Sequence, residues 1–116
     1  MIVLICGSRE WTNGWVILRE LMRFPAEKTT IIHGEARGAD SLAGTLAELL
    51  GMFVIPVRVK WEIYGKAAGP IRNKQMLAMG PDMVIAFHND LKNSKGTKDM
   101  VKIATKQGVF VEVIKQ

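Results

Sequence analysis

The sequence predicts an α/β protein, a Rossmann-like three-layer α/β/α sandwich built on a mostly parallel five-stranded sheet. Three observations predict it. Five short apolar runs recur along the chain, the stretches between them have helical spacing, and the segments leaving four of the runs are polar, glycine-bearing and carry arginine or lysine. With 116 residues and 48% hydrophobic content there is enough apolar side chain for one core, and no linker, repeat or low-complexity run divides it. Residues 1–116 are therefore expected to form a single domain.

The first apolar run, MIVLIC from Met1 to Cys6, reads as a short strand buried on both faces. The same reading fits TTIIH (Thr29 to His33), MFVIPV (Met52 to Val57), MVIAF (Met83 to Phe87) and VFVEVI (Val109 to Ile114). Pro56 cannot donate to a ladder, so its strand is expected to end early or to lie at an edge. Helical spacing joins Leu18, Leu21 and Met22, then Leu42, Leu46, Leu49 and Leu50, then Met76 and Met79 on one core-facing side, then Met100, Ile103, Ala104 and Gln107. Gly34 and Gly38 bracket a turn before the second helix, Pro70 suits a first helical turn, and Gly51, Gly80 and Gly108 suit helix ends. The longest irregular piece, Arg58 to Gly69, carries Trp61 and Tyr64 where loops are normally polar, which fits a lid or a subunit contact.

Composition narrows the function classes. A net charge of +5 and a pI near 9.6 favour anionic partners, nucleotides and nucleic acid alike, although ten of the sixteen positive charges are lysines scattered over the chain. There is no run of about 18 apolar residues and no basic leader with a cleavage site, so a cytoplasmic protein without membrane contact is expected. The single cysteine, Cys6, ends an apolar run and suits a small buried hydrophobe. Two histidines, His33 and His88, show no ligand spacing with it, so no metal is expected, and no cofactor either.

Ligands of open parallel sheets bind beyond the carboxyl ends of the strands. After the first run come Gly7, Ser8 and Arg9, a flexible backbone, a hydroxyl and a guanidinium suited to a phosphate or ribose. After the second comes HGEARGAD, in which Gly34 and Gly38 allow close backbone approach, Glu35 and Asp40 are acceptors and Arg37 is a bidentate donor. Asp40 suits a helix cap as well as a ligand role. Arg72 falls in the first turn of the helix that Pro70 opens, where it can reach an anion at the sheet edge, with Asn73 beside it. After the fourth run, Ser94, Gly96 and Thr97 open a helix whose unpaired backbone N–H groups would cradle a phosphate. Lys98, Lys102 and Lys106 in that helix form a stripe opposite its apolar side and read as a solvated face.

GSR, HGEARGADSLA, GPIRNKQM and SKGTKDM, in that order and at those strand ends, resemble the SLOG superfamily of Rossmann-like proteins, most closely the small cpYpsA-related SLOG proteins of bacteria and phages. The resemblance runs from Gly7 to about Val111. More distantly it reaches the LOG phosphoribohydrolases, which cleave the N-glycosidic bond of nucleoside monophosphates, and DprA, which binds single-stranded DNA. Of the LOG helix motif RKxxM, Arg72 and Met76 match while Asn73 replaces the lysine. Of PGGxGTxxE, Gly96 and Thr97 match, Met100 takes the place of the glutamate, and Asp99 stands one residue early, a turn of about 100° along a helix.

The resemblance implies a protein that binds a nucleotide or nucleotide-derived signal, of nucleoside phosphate or ADP-ribose-like type, as a sensor or sequestering protein, and that forms a homo-oligomer. It also leaves open an N-glycosidic hydrolase in which Arg72 grips phosphate and Glu35, Asp40 or Asp99 supplies the carboxylate. A third reading, single-stranded nucleic-acid binding, draws on the net charge and on Trp11 and Trp61 as exposed loop aromatics.

Overall fold

The computed structural model describes residues 1–116 and joins the five runs into one sheet. The strands are β1 (Ile2–Gly7), β2 (Thr30–His33), β3 (Phe53–Pro56), β4 (Met83–Phe87) and β5 (Phe110–Ile114). They lie in the order β3-β2-β1-β4-β5, and every neighbouring pair is parallel. The helices are α1 (Gly14–Leu21), α2 (Ala39–Leu49), the single turn α3 (Trp61–Tyr64), α4 (Ala68–Ala78) and α5 (Gly96–Lys106). The protein is thus an all-parallel Rossmann-like α/β fold.

The pleat of the central strands explains the three layers. Val3 and Ile5 of β1 face one way with Ile31, Ile85 and Phe87, and meet Ile17, Leu21, Ala39, Ala43 and Ala47 of α1 and α2. Leu4 and Cys6 face the other way with Ile32, Val84 and Ala86, and meet Met76, Leu77, Met100 and Ala104 of α4 and α5. The chain builds outward from β1 to β3, then crosses back to β4 on the other flank, so the strand order reverses between β1 and β4. Loops leaving β1 and β4 run to opposite faces and leave a crevice between them.

Several local expectations change in the folded chain. Trp11 is 2% exposed rather than displayed on a loop, because its ring packs edge-on to Phe87 at 5.5 Å and its indole Nε1 donates to the Asn13 carbonyl at 2.9 Å. Met79 is 40% exposed, since it caps the end of α4, and Leu77 takes the core place beside Met76. In α2 the buried stripe is Ala39, Ala43, Gly44 and Ala47, with Leu49 exposed; small residues at a spacing of four let the helix lie close to the sheet. Arg58 to Gly69 is mostly ordered as α3, a 3-10 turn and the start of α4, which begins at Ala68 with Pro70 in its first turn. Pro56 does end an edge strand. No helix is long and apolar enough to cross a membrane.

Candidate functional site

Local geometry at the end of β1 begins the site. A Cβ on Gly7 would lie 2.3 Å from the Phe87 carbonyl oxygen and 2.7 Å from the Ala39 methyl, so only glycine lets β1, β4 and α2 meet there. Ser8 N donates to Phe87 O at 2.8 Å, and Ser8 O accepts from Ala39 N at 3.1 Å, which ties the first loop to the start of α2. Gly38, at φ +77°, lies so close that a Cβ would sit 2.3 Å from Ser8 O. Its role is to shape this junction; it lines neither cavity described below.

The second loop is held by two buried polar side chains. Asp40 Oδ2 accepts from Gly34 N at 2.8 Å, and His33 Nδ1 accepts from Glu35 N at 3.0 Å. Glu35 adopts φ +58°, a left-handed conformation uncommon for a residue with a side chain. Burial pushes the Asp40 carboxyl up to about 6, opposed by its bond from Gly34 and by the Arg72 charge. Burial lowers the His33 imidazole, with the Glu35 and Glu48 charges opposing. His33 is packed against Gly44, where a Cβ would lie 2.6 Å from Nε2, so it is a structural group rather than a displayed acid or base.

Arg72 and Asn73 on α4 join the loops. Arg72 donates from Nη1 to the Gly34 carbonyl, and its guanidinium lies against Gly34, where a Cβ would be 2.7 Å away. Its Nε is buried without a partner, and no carboxylate lies within salt-bridge distance of it. Asn73, 4% exposed, donates from Nδ2 to Asp99 Oδ2 at 2.9 Å and to Gly96 O at 3.2 Å, so α4 fixes the start of α5. Ser94 Oγ accepts from Lys98 N at 2.9 Å, while Gly96 N and Thr97 N have no protein acceptor.

These pieces enclose a cleft of about 570 Å³ at the reversal of strand order. Of the expected residues, Gly7, Ser8, Arg9, Asp40, Arg72, Asn73, Ser94, Gly96, Thr97 and Asp99 line it. A second cavity of about 470 Å³ adjoins it and takes Gly34, Glu35 and Arg37, sharing Arg9, Ala36, Trp61 and Arg72 with the first. Arg37 is paired with the exposed Glu10 at 2.8 Å. Met100, at the position of the LOG acid, is fully buried in the core, yet Asp99 still borders the cleft, because Asn73 draws its carboxylate toward α4. The single step along the helix therefore does not remove a carboxylate from the cleft.

Trp61, Lys66, His88 and Lys95 also line the cleft and were not expected there as site residues. For Trp61 the signal was an aromatic side chain in a segment that should be polar. The lysine stripe Lys98, Lys102 and Lys106 is exposed and lies outside both cavities, as a solvated face should.

The family model described as YspA, cpYpsA-related SLOG family matches residues 1–64, and the gene 61 protein of Mycobacterium phage D29 is 38% identical over 117 aligned positions, covering 94% of this chain and 92% of that protein. The chain belongs to the YspA, cpYpsA-related SLOG family. The matched part holds the GSR and HGEARGAD loops, while Arg72 and the start of α5 lie beyond it. Among solved structures, DNA processing protein A (DprA) of Streptococcus pneumoniae superposes with a TM-score of 0.74 over 96% of this chain at 20% identity, a likeness of fold. The chain spans about half of that one, 49% of its length.

Proposed function

We propose that this SLOG domain binds a nucleotide or nucleotide-derived phosphate compound in the cleft at the carboxyl edge of the sheet, as a sensor or sequestering protein. The observation that carries the reading is the pair Arg9 and Arg72. Both line the cleft, neither has a carboxylate within salt-bridge distance, and burial together with the nearby Arg9 charge raises the cost of charging Arg72. An anion between them would relieve that repulsion and accept from the free Gly96 and Thr97 N–H groups at the positive end of α5. The volume suits a mononucleotide-sized ligand, and Gly96, with open space where a Cβ would stand, lets backbone approach it.

Titration calorimetry with nucleoside 5′-monophosphates tests this reading, with ribose 5-phosphate as the base-free control. Binding by the wild type that is lost in Arg72→Ala is the expected outcome. A wild type that binds none of these compounds contradicts the reading.

A second reading, hydrolysis of the N-glycosidic bond, is favoured by one observation: Asp99 and the buried Asp40 share the cleft with Arg72. Release of free base from a nucleoside monophosphate, abolished by Asp99→Ala, would select it. The nucleic-acid reading keeps Trp61 but loses Trp11 to the core. In the same proposal the chain works as a homo-oligomer, for which exposed Trp15, Phe53 and Phe110 offer apolar surface, and light scattering reads the state directly.

A further inference from the structure

We infer that the ligand carries a second phosphate next to the first, and that the adjoining cavity, with Arg58 as its specific contact, receives it. The inference rests on the proposed binding of a nucleotide in the main cleft and extends it to the class of compound bound.

Four arginines, Arg9, Arg37, Arg58 and Arg72, line a cavity of about 470 Å³. The only carboxylate among its lining residues is Glu35. Arg9 and Arg72 stand at the passage between the two cavities, since both line each of them. A phosphate held near Arg72 and the start of α5 can therefore extend past the arginine pair into the space bounded by Arg37 and Arg58. The adjoining side chains, Val59 and Trp61, offer no competing hydrogen-bond acceptor.

The two outer arginines are not committed elsewhere. Arg37 meets Glu10 and Arg58 meets Glu62, each at 2.8 Å, but all four side chains are more than half exposed. Exposed ion pairs of this kind contribute little, so exchanging the carboxylate for a phosphate costs little. A guanidinium presents a planar fork that matches phosphate oxygens two at a time. Arg58 also sits just before α3, three residues ahead of the half-exposed Trp61, so its placement depends on the turn that shapes the passage. A second phosphate of this chemistry could be that of a nucleoside diphosphate or the internucleotide phosphate of a short oligonucleotide.

The test compares AMP with ADP and UMP with UDP by calorimetry on the intact chain, with a 5′-phosphorylated dinucleotide as a further arm. The diphosphates are expected to bind about tenfold tighter than the monophosphates, a step typical of one charge-assisted contact. In Arg58→Ala that ratio should fall to near one while monophosphate affinity stays within about twofold. Glu62→Gln, which frees Arg58 without removing it, should raise the ratio; this variant keeps the test decisive if Arg58→Ala is poorly folded. A dinucleotide that gains as the diphosphates do, and loses that gain in Arg58→Ala, supports the second-phosphate site and identifies an internucleotide phosphate as its source. Monophosphate binding with no gain from any second phosphate overturns the inference and leaves the proposed function standing. Failure of every compound to bind the wild type overturns both.

Discussion

The glycines at the two ends of the sheet do different work. At the carboxyl end, a Cβ on Gly7, Gly34, Gly38 or Gly44 would lie between 2.3 and 2.7 Å from another heavy atom. At the opposite end, Gly51, Gly80 and Gly108 have positive φ and nothing within 4 Å of a Cβ. One set is needed for space and the other only for a backbone turn. The difference teaches where the fold has been compressed: at the ends of β1 and β2, the loops, the start of α2 and the Arg72 guanidinium are packed to contact, whereas the start of α5 stays open at Gly96 and the far end merely reverses the chain. A site that must hold several side chains in one geometry benefits from that rigidity.

The largest expected effect tests the comparison directly. Gly7→Ala should cost about 3 kcal/mol or more by urea denaturation, because its Cβ would meet the Phe87 backbone, which cannot rotate away. Gly51→Ala should cost only about 1 kcal/mol, the strain of a positive φ in open space. Equal costs would break the contrast between the two ends.

Next comes the acid response of the carboxyl end. Asp40 has its pKa raised by burial from 3.8 to about 6, so the folded protein binds its proton more readily than the unfolded chain does. Stability from this group is fully present below pH 3.8 and is lost as pH rises through about 6, a total of roughly 2 to 3 kcal/mol. His33, lowered by burial, acts in the opposite sense and loses stability as pH falls through its unfolded value of 6.5. Removing the Asp40 contribution in Asp40→Asn should therefore make the loss of melting temperature between pH 6 and 4 steeper than in the wild type. A parallel pair of curves would show that Asp40 does not titrate in that window.

Arg72→Ala sharpens the contrast at the level of binding. Loss of a charged hydrogen bond to phosphate should weaken nucleotide affinity by roughly 1.5 to 3 kcal/mol. Lys102→Ala, on the exposed stripe of the same layer, should leave it unchanged within about 0.5 kcal/mol. Comparable losses would point to diffuse attraction by net charge rather than to the crevice.

The smallest expected change is for Asp99→Ala. As a binder, the protein should lose no more than about 0.5 kcal/mol of affinity, because Asn73 retains its bond to Gly96 O and a carboxylate adds no attraction for phosphate. Mass spectrometry for released base checks the other reading on the same samples.

Much of this architecture was legible before any contact was known. The five short apolar runs all form strands, but burial on both faces holds for the central β1, β2 and β4, while the edge strands β3 and β5 are half-buried or exposed, with Phe53 and Phe110 in solvent. The site loops were legible too, because GSR, HGEARGAD and SKGT follow strands in a parallel sheet and must gather at its carboxyl edge. Trp11 was not legible: it follows the polar GSRE, and nothing near it in sequence shows that Phe87, far along the chain, will cover its ring. Met79 misled for a related reason, since helical spacing gives a direction but not the point at which the sheet stops.

By itself the sequence determined the alternation of strand and helix, that the strand carrying Pro56 ends early or lies at an edge, and the polar character of the loops beyond the strands. These follow from periodicity and backbone chemistry, which act over a few residues. Only the tertiary structure decided that Arg72 rests on Gly34 with no carboxylate to pair it, that Asn73 draws Asp99 back to the cleft, and that Arg58 joins three other arginines around a second cavity. The Arg72 and Asn73 contacts link residues 38 and 26 positions apart in the chain. Such pairings depend on strand order and crossover geometry, to which local sequence is blind.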